Sequence, residues 1–447
     1  VTPQESSPAS WRPLLEGESR ARALEAIEAI ADHLVALTAE SEEEFTPETL
    51  ALQPGRSASL AGGLTGISLF FAYLDQARPG QGHDDTALTL LERAIDLTGD
   101  RLVLSGLYSG FSGVAWVMEH LEGRLYESPE GEDSGEEAAA ALEEHLRRSP
   151  WEREYDLIGG LAGFGVYALE RLPRPQGAEC LRHTLARLAE LRETQPEGDS
   201  WRTPQAMVAL YAREDFPEGN FNLGVAHGVP GVLPILAGAS AAGLAEARPL
   251  LDEAVRWTLA QKMPPGSDSL FPYSMAPGHV PGPSRLAWCY GDAGVAAALL
   301  ASALAVGEPA WKREALEIGR FAARRPAGTA GIVDAGLCHG AAGVAHIFNR
   351  LYQASGDPVL RDAARAWFDW ALDFRKPGEG VGGFLSWGPG GSTDEMGWRD
   401  DAGFLTGAAG VGLALLSAVA PIEPAWDRVM LISLPQAPLR ARAARDS

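Results

Sequence analysis

Seven times along the chain a Gly-x-x-Gly step opens an apolar, alanine-rich run: GLTGISLFFAYL, GFSGVAWVMEHL, GLAGFGVYALERL, GVPGVLPILAGA, GDAGVAAALLASAL, GAAGVAHIFNRLY and GAAGVGLALLSAV. The second glycines are Gly66, Gly113, Gly163, Gly231, Gly294, Gly343 and Gly410, at spacings of 47, 50, 68, 63, 49 and 67 residues. A recurrence of this kind is the signature of a repeat architecture, and it limits the folds open to the chain more than any other feature. Each run is apolar on nearly all sides, as a helix buried in a core must be, and its small residues permit close approach of neighbouring backbones.

Between these runs lie seven amphipathic stretches with charged faces: RALEAIEAIADHLVALTAE, LTLLERAIDLTGD, AAAALEEHLRRS, CLRHTLARLAELRET, ARPLLDEAVRWTLAQK, WKREALEIGRFAARR and VLRDAARAWFDWALDF. They read as outer helices packed on the apolar inner ones. Seven of each in alternation form most economically a closed double ring, an all-α (α/α)7 toroid, because an open solenoid would expose an apolar flank at each end. A length of 447 residues would by itself favour two or three domains. A repeat grows as one unit, so the expectation is a single barrel over residues 1–447, with 421–447 as a C-terminal tail. The Pro/Gly-rich inserts PPGSDSLFPYSMAPGHVPGPSR and KPGEGVGGFLSWGPGGSTDEMGWRDDAG are expected to be loops or short strands, placed to shape a binding site.

Equivalent residues of successive repeats lie side by side in a ring, so offsets from the second glycine can be compared directly. Five residues before it, the fifth and sixth repeats carry Cys289 and Cys338; four before it, the fourth and sixth carry His227 and His339, with Tyr290 between them in the fifth. The other repeats hold Ala61-Gly62, Tyr108-Ser109, Ile158-Gly159 and Leu405-Thr406 there. Two cysteines and a histidine from adjacent repeats supply three soft or borderline ligands, the number a catalytic zinc uses while keeping its fourth position open. The starts of the inner helices would add their positive ends, favouring thiolates.

A lone buried cysteine is ordinarily a small hydrophobe, and a structural zinc would want a fourth protein ligand. Beyond these three, only a second histidine at the shared offset is present, and His227 would serve equally as a base. Asp156 and Arg285, seven and nine residues before their glycines, should reach the same mouth, although each also suits a loop salt bridge or a helix cap. Asp292 is expected to accept hydrogen bonds at a helix start and Tyr290 to line the pocket. Cys180 and His183, in an outer segment, read as packing and surface residues. His33, His83, His120, His145, His279 and His346 share no offset and receive no role.

With AHGVPG, WCYGD and LCHGAAG set within seven glycine-led repeats, the chain resembles the lanthipeptide cyclase family, LanC and its LanC-like relatives, over nearly its whole length. The resemblance implies an (α/α)7 barrel with one Zn2+ held by Cys289, Cys338 and His339, and it matches His227, Asp156 and Arg285 to the family's active-site histidine, aspartate and arginine. It implies a stand-alone cyclase that adds cysteine thiols of a dehydrated precursor peptide to dehydroalanine or dehydrobutyrine, forming thioether rings. A separate dehydratase, and an exporter, would be its partners. Glutathione addition of the LanC-like kind, another zinc-dependent thiol alkylation such as prenyl transfer, and a non-catalytic peptide scaffold with a structural zinc are the alternatives.

The remaining composition narrows the partners. A formal net charge of −23 argues against a nucleic-acid partner, because phosphate backbones are bound by clustered lysine and arginine. It also disfavours unaided adhesion to anionic lipid, while attracting a cationic peptide. No signal-like segment or eighteen-residue apolar stretch is present, and three cysteines are too few for a disulfide framework. A cytoplasmic protein, membrane-associated only through a biosynthetic complex, is the expectation.

Overall fold

The computed structural model describes residues 11–39, 58–99, 104–208, 210–389 and 395–435. Among them are fourteen α-helices, and outer and inner helices alternate from the first to the last. The outer set is α1 (Gly17–Ala39), α3 (His83–Gly99), α5 (Glu136–Leu146), α7 (Pro175–Leu191), α9 (Ala247–Ala260), α11 (Pro309–Ala323) and α13 (Pro358–Asp373). The inner set is α2 (Leu64–Ala77), α4 (Phe111–Leu121), α6 (Leu161–Glu170), α8 (Val229–Ala241), α10 (Asp292–Val306), α12 (Ala341–Ser355) and α14 (Ala408–Val419).

Every inner helix packs on the next, and α14 packs on α2, so the inner ring closes and the chain is an (α/α)7 toroid. Most inner helices pair with the outer helix that follows them in sequence. The last has no successor, and α1 from the other end of the chain takes that place, packing on α14. The Leu14 and Leu15 amides there both donate to Ala418 O, at 2.8 and 3.0 Å.

Small residues let the inner helices approach. A Cβ on Gly165 of α6 would lie 2.5 Å from Ile235 of α8, and one on Gly238 of α8 would lie 2.7 Å from Leu169 of α6, so each helix receives a branched side chain of the other. The recurring second glycine has a different cause. In all seven repeats a Cβ there would fall 1.9–2.5 Å from the carbonyl oxygen six residues earlier, against which the first turn of the inner helix closes. Overpacking against a rigid backbone atom cannot relax by a rotamer change. Gly343→Ala, whose Cβ would meet Leu337 O at 1.9 Å, should therefore cost about 3 kcal/mol in urea unfolding. Gly328→Ala, with nothing within 4 Å, should leave the midpoint in place.

The segments leading into the inner helices are joined by a circuit of backbone hydrogen bonds. Ala61 N donates to Tyr108 O, Tyr108 N to Ile158 O, Leu157 N to Ala226 O, Ala226 N to Cys289 O, Cys289 N to Cys338 O, Cys338 N to Leu405 O, and Leu405 N back to Ala61 O, over 2.8–3.4 Å. Every acceptor in this circuit stands five residues before its repeat glycine. The circuit defines the mouth of the ring and sets equivalent offsets beside one another.

Residues 421–435, which the sequence suggests as the start of a tail, turn back into the ring instead. Ala425–Met430 form a buried 3-10 helix. Its Asp427 is fully buried and accepts from Arg350 Nε at 2.6 Å, with His346 Nε2 at 2.8 Å, while Trp426 stacks on the His346 ring. Arg428 reaches Glu170, which also pairs with His120 Nδ1 at 2.9 Å, and Tyr73 Oη lies 2.8 Å from His120 Nε2. Tyr108 Oη and Trp288 Nε1, from the mouth segments, donate to Val429 O and Met430 O. The segment thus forms a floor beneath the mouth, fixed by buried charge pairs that no repeat pattern announces. Residues 436–447 of the expected tail lie outside the described residues.

The inserts add three two-stranded antiparallel sheets: β1 (Arg192–Gln195) with β2 (Gly198–Trp201), β3 (Phe221–Asn222) with β4 (Ser274–Met275), and β5 (Ser386–Pro389) with β6 (Met396–Arg399). Among the described residues, no helix is long and apolar enough to cross a membrane.

Candidate metal centre and active site

Cys289 and Cys338 stand three residues before α10 and α12, and the Cys289 amide donates to Cys338 O at 3.1 Å. That backbone link brings the two thiols together, and His339, the next residue, turns its ring to the same point. The two Sγ atoms and a His339 ring nitrogen all lie within 4.8 Å of one another. Ligands about 2.0–2.3 Å from a tetrahedral zinc lie about 3.3–3.8 Å from each other, so these three atoms are close enough to be gathered round one ion by small side-chain movements. Two thiolates and an imidazole are a donor set for zinc and not for magnesium or calcium. The residues present fit the metal.

The electrostatics favour one thiolate of the pair, at Cys289. A hydrogen bond from Cys338 draws the Cys289 thiol well below its usual value against the opposing effect of burial, with His339 and Arg285 adding to the fall. The same hydrogen bond, with burial, raises Cys338. Cys180, by contrast, is a fully buried thiol beneath Ala139 O in the outer layer, pushed up to about 12 by burial.

His227 stands at the mouth four residues before Gly231, its side chain 47% exposed, with Nδ1 2.6 Å from Asp156 Oδ2. Asp156 is held in turn, its other oxygen accepting the Gly159 amide at 2.9 Å. Burial works against protonation of the imidazole, but the Asp156 hydrogen bond and charge, with Cys289 behind them, lift its pKa above the ordinary value. Nδ1 faces the carboxylate, which leaves Nε2 as the atom that can meet a substrate.

Arg285 lies where three other repeats place a turn-forming residue. Asn222, Asp334 and Asp401, each nine residues before its glycine, use a side-chain oxygen to accept the amide two residues on, at 2.8–3.1 Å. The fifth repeat has an arginine there, and its turn is held differently. Tyr273 Oη accepts the Arg285 amide at 3.1 Å and Arg285 Nε at 3.3 Å. Burial opposes the guanidinium charge, while Tyr273 and the thiols Cys289 and Cys338 raise its pKa.

Other residues depart from expectation. Asp292 does not cap its own helix: it accepts the Leu270 and Phe271 amides at 3.0 Å, pinning the long insert onto α10, and burial pushes its carboxyl up to about 6. Tyr290 does line the mouth, its ring 6.4 Å from His227 and 5.3 Å from Tyr273, with its hydroxyl accepting from Asn222 Nδ2 at 3.0 Å. Tyr273 and Asp334 were not singled out by repeat alignment. Tyr273 lies in an insert and has no offset. Asp334 could be found from Asp401 at the same offset, but its second bond, accepting the Trp387 amide of β5 at 3.0 Å, has no counterpart in sequence.

The description lanthionine synthetase C-like protein belongs to a family profile that matches residues 55–431, most of the chain and all seven repeats. The chain belongs to this lanthionine synthetase C-like family. Among solved structures it is similar to nisin cyclase, with a TM-score of 0.68 and 18% identity, over 91% of this chain and 97% of that one. At that identity the likeness carries the toroid fold. No curated protein matches the chain.

Proposed function

We propose that this lanthionine synthetase C-like protein is a zinc-dependent cyclase that closes thioether rings in a dehydrated peptide. The observation that carries the reading is the convergence on one mouth of a Cys289–Cys338–His339 donor set, a His227–Asp156 pair and the Arg285 guanidinium. Family membership and the likeness to nisin cyclase support it. Zinc held by Cys289, Cys338 and His339 would supply the substrate cysteine as thiolate at neutral pH, because a coordinated thiol is deprotonated outright.

The chain's own groups carry the rest. As the peptide's sulfur adds to the β-carbon of dehydroalanine or dehydrobutyrine, the C=C electron pair moves toward the α-carbon and its carbonyl, leaving an enolate. Arg285 stabilises the oxygen on which that charge develops, in a partly buried site where a fixed cation acts more strongly than in water. His227 delivers a proton from Nε2 to the α-carbon, while Asp156 on Nδ1 holds the ring in orientation and favours its protonated state. One C–S bond and one C–H bond form, and the thiol proton leaves to solvent, so the product has the mass of the substrate.

Purified protein incubated with a dehydrated, cysteine-containing peptide, with and without glutathione, should consume peptide thiol with no change in peptide mass. Glutathione addition would raise the mass by one glutathione, and a binding scaffold would leave the thiol titre unchanged; either result overturns the proposal. The peptide substrate requires a dehydratase upstream, since serine and threonine do not accept thiolates. We place both steps in the cytoplasm, with an exporter as a further partner.

A further inference from the structure

We propose that Tyr273 is a positioning residue for Arg285, aiming the guanidinium at the reacting carbonyl; this rests on the cyclase reading of the site. Arg285 has two sets of donors, Nε and the pair of Nη groups, and its backbone amide is a third. Tyr273 Oη accepts from Nε at 3.3 Å and from the backbone amide at 3.1 Å, gripping the residue at both ends of its side-chain stem. Among the described residues no hydrogen bond or ion pair engages the Nη groups. A planar guanidinium fixed at Nε presents its two Nη groups as a fork, the geometry that suits an oxyanion.

The tyrosine is itself fixed. Its ring packs 5.3 Å from the Tyr290 ring. Its carbonyl accepts the Leu223 amide at 2.9 Å, in line with the β3–β4 pair that places Asn222 on Tyr290. The turn at Arg285 lacks the Asn or Asp oxygen that shapes the equivalent turns at Asn222, Asp334 and Asp401. A phenol from the insert holds this turn at another point, the Arg285 amide, in the repeat that carries a cation nine residues before its glycine. The insert between α9 and α10 thus completes the site by this one hydroxyl, which no repeat position supplies.

The test is Tyr273→Phe, which keeps the ring and its packing and removes only the acceptor, measured beside Arg285→Ala and the double variant. Zinc content and the urea midpoint serve as controls. Tyr273→Phe should lower kcat for ring closure about tenfold, with KM within about twofold because substrate sulfur binding is untouched. In the Arg285→Ala background the same change should have no further effect on kcat, because nothing remains to position. An equal loss in both backgrounds, or wild-type kcat in the single variant, would overturn the proposal. Exchange of the Arg285 Nε–H with solvent, followed by NMR, reads the contact without any turnover. It should accelerate about tenfold or more in Tyr273→Phe, and unchanged exchange also overturns the assignment. Failure of the wild-type protein to close rings would instead sink the cyclase reading, whatever the exchange shows.

Discussion

Cys338→Ala is expected to lower bound zinc from about one ion per chain to background and to abolish ring closure with it. Loss of one of three protein ligands leaves Cys289 and His339, a pair that cannot hold the ion against solvent and competing chelators. The fold should survive, because Cys338 is joined to its neighbours through the backbone and the Cys338 amide still donates to Leu405 O. Metal analysis of dialysed protein, with circular dichroism alongside, checks both statements. Cys180→Ala is the internal control: its thiol is buried in the outer layer and should have no influence on metal content. Zinc retained at wild-type stoichiometry in Cys338→Ala would remove the ligand assignment.

The second large effect is expected at His227. His227→Ala should keep a full complement of zinc, since the three proposed ligands lie in other repeats, and should lose about 10²–10⁴ in the rate of ring closure. The count of free thiols remaining in the product measures it. The pH dependence separates proton donation from a merely steric role. Asp156 raises the His227 pKa, so the imidazolium persists to a higher pH than an unpaired histidine would allow. A donor is competent when protonated, so the rate should fall as pH rises through that raised pKa. Asp156→Asn removes the carboxylate charge and should move this fall to lower pH. Superimposable profiles for the two proteins would exclude His227 as the donor.

The repeat pattern carried much of this architecture because its cause is steric and local. A glycine whose Cβ would strike the carbonyl six residues earlier must recur wherever the motif recurs, so Gly66 through Gly410 mark every inner helix. The same regularity made Cys289, Cys338 and His339 readable as neighbours, since in a ring an offset is an address. What stayed hidden has no repeat counterpart. Trp426, Asp427 and Arg428 fill the space inside the ring through contacts with His346, Arg350 and Glu170, and nothing in their spacing signals burial. Tyr273 reaches Arg285 from an insert. Asp292 resembles a helix cap in sequence, and its actual partners are amides of a loop twenty-odd residues earlier. His120 and His346, given no functional role by the offsets, are the buried partners of Glu170 and Asp427.

The circuit of hydrogen bonds around the mouth bears on how a metal would be acquired at the proposed site. In small zinc modules the ion gathers ligands from a disordered chain, and its binding energy is spent on folding. Here the peptides that carry the proposed ligands are tied into a closed hoop, from Ala61 through Cys289 and Cys338 back to Ala61, by bonds that would not involve the ion. Loading the metal then resembles docking into a rigid receptor, and a chelator should strip the ion while the hoop stays intact.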